Sequence, residues 1–153
     1  MGTIGDAFIY SRFSSRFPRL RHGRFMKLDR YVATPPPNPL MIFDGDCDFC
    51  RRWIRRWSRA IGNRVECLPF QDPRVPKQFP ELRRENLAKA VHFVESDGAV
   101  FFGAEAALRA LAHNPAKGRL LNWYLRSPSF ANFAERAYRF VAEHRALFSR
   151  IMR

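Results

Sequence analysis

The chain has 153 residues, of which 27 are basic and 14 acidic, giving a formal net charge of +13, and it carries three cysteines. That length suits one domain burying about two-thirds of its unfolded surface, so no disulfide framework is needed, and three cysteines could not build one. Without a run of about 18 apolar residues there is no transmembrane segment, and with no secretory pattern at the start a reducing, cytoplasmic setting is expected.

Residues 1–33 hold seven basic groups and two acidic ones, with aromatic residues interleaved and Pro18 and Gly23 interrupting any long helix. They read as a poorly ordered basic leader. Arginine and serine in an acid-poor stretch also suit a transit peptide, which would place the chain in an organelle matrix. In a third reading Met26 opens a domain that needs nothing before it. Thr34 to Pro39, TPPPNP, is a stiff linker of polyproline type. The expected division is therefore a leader and linker over 1–39 and a domain over 40–153.

Leu40 to Phe43, LMIF, is an unbroken apolar run of the kind buried on both faces of a sheet. Asp44-Gly45-Asp46 ends it with turn residues. Cys47 and Cys50 follow as C-x-x-C, and apolar residues then recur at helical spacing through Trp53, Ile54, Trp57, Ala60 and Ile61. Arg51, Arg52, Arg55, Arg56 and Arg59 fill the other faces. Gly62-Asn63 stops this helix, and Arg64 to Phe70 reads as a second strand, parallel to the first through a right-handed crossover. Gln71 to Pro80 carries three prolines and is expected to be irregular. Pro80 is placed to start a polar helix, ELRRENLAKA.

Ala90 to Glu95 and Ala99 to Phe102 are β-rich runs separated by Ser96-Asp97-Gly98, a hairpin signal. Helices are expected over Ala104–His113, Arg119–Arg126 and, after Ser127-Pro128, about Ser129–Arg150. In the last, Phe130, Phe133, Ala134, Ala137, Phe140, Val141, His144 and Leu147 form a stripe read as core-facing. The order is β-α-β-α-β-β-α with extra C-terminal helices. It predicts an α/β, thioredoxin-like fold with a mixed four-stranded sheet.

At a strand-to-helix turn, Cys47 falls at or beside the helix N-cap and Cys50 one turn inside. Unpaired N–H groups and the positive end of the helix dipole favour a thiolate there, and the thiolate is the nucleophile. Cys47 is thus the expected attacker and Cys50 the resolving thiol. Asp44, at the strand end, is a candidate base for Cys50, or a turn former bonding nearby backbone. Asp46 and Asp48 flank Cys47 and disfavour its anion, which suits a reductant better than an oxidant. Arg51 follows Cys50 where a c-type haem would need histidine. A zinc site would need two more ligands from Cys67, His92, His113 or His144, and these form no second close pair. No cofactor is expected. Cys67 reads as a buried inert thiol, His92 as a strand residue, and Trp53 and Trp57 as core.

With these residues in place, the chain resembles the DCC family of thiol-disulfide oxidoreductases, whose D-x-x-C-x-x-C motif here runs from Asp44 to Cys50. The likeness extends through FDGDCDFC, PFQDP, VESDGAVFFGAEAAL and the tail AYRFVAEHRALF, about Leu40 to Phe148. It implies a thioredoxin-like domain with redox activity. One departure is that Leu87-Ala88-Lys89-Ala90, leading into the third strand, has no proline where thioredoxins proper place a cis-proline. The expected function is disulfide exchange through Cys47 and Cys50, reducing rather than oxidising. Its partners would be a protein or small-molecule disulfide substrate and a thioredoxin- or glutathione-type electron donor. The alternative is a non-catalytic basic module whose arginine-rich helix binds an anionic partner.

Overall fold

A computed structural model of the chain describes residues 31–151, and the readings made for residues 1–30 lie outside the described residues. Four strands, β1 (Leu40–Phe43), β2 (Glu66–Pro69), β3 (His92–Val94) and β4 (Val100–Phe102), form one mixed sheet in the order β2-β1-β3-β4. β1 pairs β2 in parallel, with Met41 opposite Cys67, and β3 antiparallel, with Met41 opposite Phe93. Helix α1 (Asp48–Ile61) makes the crossover from β1 to β2 and ends at Gly62, whose φ of 67° is left-handed backbone suited to glycine. The sheet is of the thioredoxin-like kind, as the element order implied.

Alternation along the strands sends side chains to two cores. Leu40, Ile42, Leu68, Val94 and Val100 meet Val75, Phe79, Leu82 and Leu87 on one face. Met41 and Phe93 meet Ile54 and Ile61 of α1, and Ala106 and Ala110 of α4 (Gly103–Ala112), on the other. Val32 also joins the first core, and its N–H bonds the Gly98 carbonyl at 2.9 Å. Pro36 is buried as well.

Three local expectations need correction. Arg74–Gln78, inside the stretch expected to be irregular, is a short helix, α2. Pro76 is tolerated there because first-turn N–H groups have no helical partner to lose. The polar helix expected over 81–90 shrinks to Arg84–Leu87, α3, because Phe79 and Leu82 are both buried and the chain turns tightly between them. The long last helix divides at His144 into α6 (Pro128–Glu143) and α7 (Arg145–Ile151), after α5 (Gly118–Arg126).

The stripe on α6 and α7 is only partly turned inward. Phe133, Phe140 and Leu147 are 67%, 57% and 53% exposed. Phe130 and Ala134 of the stripe do pack inward, joined by Ala131 and Tyr138 from outside it. Glu135 holds this side of α6 inward. Its carboxylate accepts the N–H groups of Ala104 and Glu105 at 3.4 and 3.1 Å and the Tyr124 hydroxyl at 2.8 Å. It therefore caps α4 from a distant helix, where a negative charge is favoured by the unpaired donors. Gly103 leaves room for it: φ is +69°, and a Cβ there would lie 2.7 Å from Glu135 Oε2.

His92 is fully buried, with Nδ1 2.9 Å from the Ala90 carbonyl oxygen. Burial penalises the imidazolium and drives its pKa down to about 4 from 6.5. Between those values the unfolded chain takes up a proton that the folded chain refuses, so stability falls as pH falls through this window. The loss is expected to reach about 3 kcal/mol by pH 4. Urea unfolding of wild type and His92→Leu at pH 7 and pH 4.5 checks it. The wild type should lose more stability than the variant on acidification, and equal losses would refute the account.

Candidate active site

Cys47 is the N-cap of α1, in extended conformation with φ −88° and ψ 111°. Its sulfur accepts the Cys50 N–H at 3.2 Å, doing the work of an ordinary capping oxygen. The Cys50 thiol points the same way, with its sulfur 2.6 Å from that of Cys47. Both cysteines are free and half-buried. Burial, then the bond to Cys47, pushes the Cys50 thiol up to about 12, while Arg145 pulls in the opposite direction. The pair expected from the sequence is thus assembled, with a backbone donor aimed at the Cys47 sulfur.

The turn before Cys47 is held by a residue that the sequence reading left unused. Gln71 donates its side-chain amide to Asp44 Oδ1 and Asp46 Oδ2, both at 3.0 Å, and accepts the Gly45 N–H at 3.0 Å. One glutamine therefore reads all three residues of the Asp44-Gly45-Asp46 turn. Arg51 ties the turn to α1 by donating to the Gly45 carbonyl at 2.9 Å, and it also pairs with Asp48. The flanking carboxylates accordingly have partners of their own.

Asp44 is near enough to Cys50 to raise its pKa, with its side chain 16% exposed and Oδ2 3.6 Å from Arg145 Nη1. Arg145 also donates to the Ala88 carbonyl at 3.0 Å. It sits at the start of α7, where the break after α6 turns it toward the cysteines. No periodic pattern marks Arg145, because its partners come from β1 and from the approach to β3. The Tyr138 hydroxyl accepts the Val91 N–H at 2.9 Å, and burial raises its pKa to about 12.

The remaining candidates fall elsewhere. Cys67 faces Ser58 at 3.6 Å on the far part of α1, and burial raises its pKa. Trp53, read as core, is 37% exposed and lines a cavity with Trp57 beside Cys50. Among the described residues no three His, Cys, Asp or Glu side chains gather as metal ligands would, and no helix is long and apolar enough to cross a membrane.

A thioredoxin-like sheet with a C-x-x-C pair at the β1–α1 turn defines the class of protein whose chemistry is carried by paired thiols. Within that class the chain belongs to the DCC1-like thiol-disulfide oxidoreductase family, whose family model matches residues 41–151. No curated protein and no solved structure matches the chain.

Proposed function

We propose that the chain reduces disulfides by cycling Cys47 and Cys50 between dithiol and disulfide. The observation that carries this reading is the asymmetry of the pair. The Cys47 sulfur is the N-cap of α1 and accepts the Cys50 N–H, whereas Cys50 lies one turn inside and burial keeps its proton in place.

Cys47 thiolate attacks one sulfur of the substrate disulfide, and the other half leaves as a thiolate that is then protonated. Cys50 gives its proton to Asp44 and attacks the Cys47 sulfur, expelling the second half as a thiolate that takes a proton from solvent while Asp44 releases its own to solvent. The substrate gains two electrons and two protons, and the pair becomes a disulfide. A thioredoxin- or glutathione-type donor then returns it to the dithiol, which suits the cytoplasm. Because Cys50 stays protonated, no buried anion stabilises the reduced form, and this favours giving electrons over taking them.

The test is alkylation with and without reductant, followed by titration of the pair against glutathione. A reversible Cys47–Cys50 disulfide with a potential near about −270 mV is expected, and a value near about −120 mV would make the chain an oxidant instead. Asp44→Asn is expected to slow resolution by about 10²-fold while leaving the attack of Cys47 near its wild-type rate. Rapid-quench counting of mixed disulfide separates the two steps, and equal slowing of both would remove Asp44 as the base.

A second reading rests on the outer face of α1, where Arg55, Arg56 and Arg59 are all exposed. That face would bind an anionic partner by charge. Salt-sensitive binding of a polyanion that survives Cys47→Ser with Cys50→Ser supports it, and no binding at low salt eliminates it.

A further inference from the structure

A cavity of about 280 Å³ lies between α1 and α6, and Cys50 is part of its wall while Cys47 is not. One side is aromatic. Phe49, Trp53 and Trp57 follow one another along α1, with ring centroids 6.1 and 5.9 Å apart. The facing side is made of Ala137, Val141 and Ala142, whose small side chains create the space. Arg145, beside Asp44 and the Ala88 carbonyl, and the exposed Lys89 also line it, leaving one excess positive charge over the single carboxylate of Asp44.

From these features we infer that the cavity binds a planar aromatic anion of one or two rings, its face on the tryptophans and its charge toward Lys89 and Arg145. Size sets the ring count, since about 150 Å³ holds benzene and drug-sized ligand pockets begin near 300 Å³. Ring stacking favours an aromatic body over an aliphatic one, and the net charge favours an anion.

The occupant is distinct from the disulfide substrate. When Cys50 attacks the Cys47 sulfur, the departing sulfur must lie opposite Cys50, on the far side of Cys47. A molecule in a cavity walled by Cys50 but not by Cys47 is therefore behind the attacking thiol. Bound there it covers Cys50 and holds back resolution, so the site is regulatory. This last consequence rests on the redox cycle proposed above, whereas the binding itself does not.

The test uses naphthalene-2-sulfonate as the probe and the full chain carrying Cys47→Ser, which cannot turn over. Calorimetry is expected to show one site, weakened about fivefold by Lys89→Met, the effect of one partly exposed charge. Ala137→Trp, which fills the cavity from an exposed helical position, should weaken binding at least about tenfold. Saturating probe should also slow iodoacetamide alkylation of Cys50 at least about tenfold, a measurement that needs no cavity variant. Absence of binding, binding indifferent to Ala137→Trp in a chain with an unchanged circular dichroism spectrum, or alkylation unaffected by the probe would each overturn the inference. An inactive redox pair would leave all three results readable.

Discussion

Cys47→Ser is expected to lower disulfide exchange by at least about 10³-fold, because a serine hydroxyl does not ionise near neutral pH and the step loses its nucleophile. Cys50→Ser should behave differently. The attack of Cys47 keeps its N-cap position, so the first step is expected to stay within about tenfold of wild type, but the mixed disulfide then has no internal exit. Mass spectrometry should find substrate bound to Cys47 in the Cys50→Ser chain and none in the Cys47→Ser chain. The split follows from the place of Cys47 at the helix N-cap and the burial of Cys50 one turn inside. Retained activity in Cys47→Ser would sink the assignment of the attacker. Ordinary turnover in Cys50→Ser, with no external thiol present, would sink that of the resolving thiol.

Gly45→Ala should be nearly as damaging, and for a reason unconnected with backbone freedom. A Cβ at this position would lie 2.6 Å from the Cβ of Pro69 and 3.0 Å from Gln71 Oε1. Pro69 is held by β2, opposite Phe43 in the parallel ladder, so it cannot simply move away. Relief has to come from the Asp44-Gly45-Asp46 turn, which would withdraw from Gln71 and carry the Cys47 cap with it. The expected cost is about 1–3 kcal/mol in stability, as for other overpacked sites. A displacement of about 1 Å at a reacting group can cost about 10²-fold in rate, so exchange should fall by that order. Chemical unfolding and disulfide-exchange kinetics on one preparation check both parts. Wild-type stability together with a wild-type rate would show that the turn tolerates the extra carbon.

Much of the site was legible because it is local. The apolar run Leu40–Phe43, the turn residues, the C-x-x-C spacing and the helical period of Trp53, Ile54, Trp57 and Ile61 all act within one strand–turn–helix unit. Burial of Ile54 and Ile61 against Met41 and Phe93 follows that pattern. The role of PFQDP was not legible, although the segment itself could be read. Gln71 reaches Asp44 across 27 positions, and nothing in its neighbours signals that a side-chain amide will bridge two carboxylates. The α6 stripe was legible only in part, since Phe130 and Ala134 pack inward while Phe133 and Phe140 are exposed. The buried side was chosen by Ala131, Tyr138 and the cap made by Glu135, which a hydrophobicity pattern ranks below Phe133 and Phe140.

By itself, the order of residues determined the sheet, the placement of the two thiols at a helix N-terminus and the family to which the chain belongs. These depend on periodicity, turn chemistry and short-range spacing, all of which are written along the chain. Only the tertiary structure decided what surrounds the thiols. It set Gln71 under the turn, brought Arg145 from the last helix to Asp44 beside Cys50, and opened an aromatic cavity behind Cys50. Each of these joins side chains from separate elements, and such meetings are fixed by how helices and sheet pack, which no local pattern records.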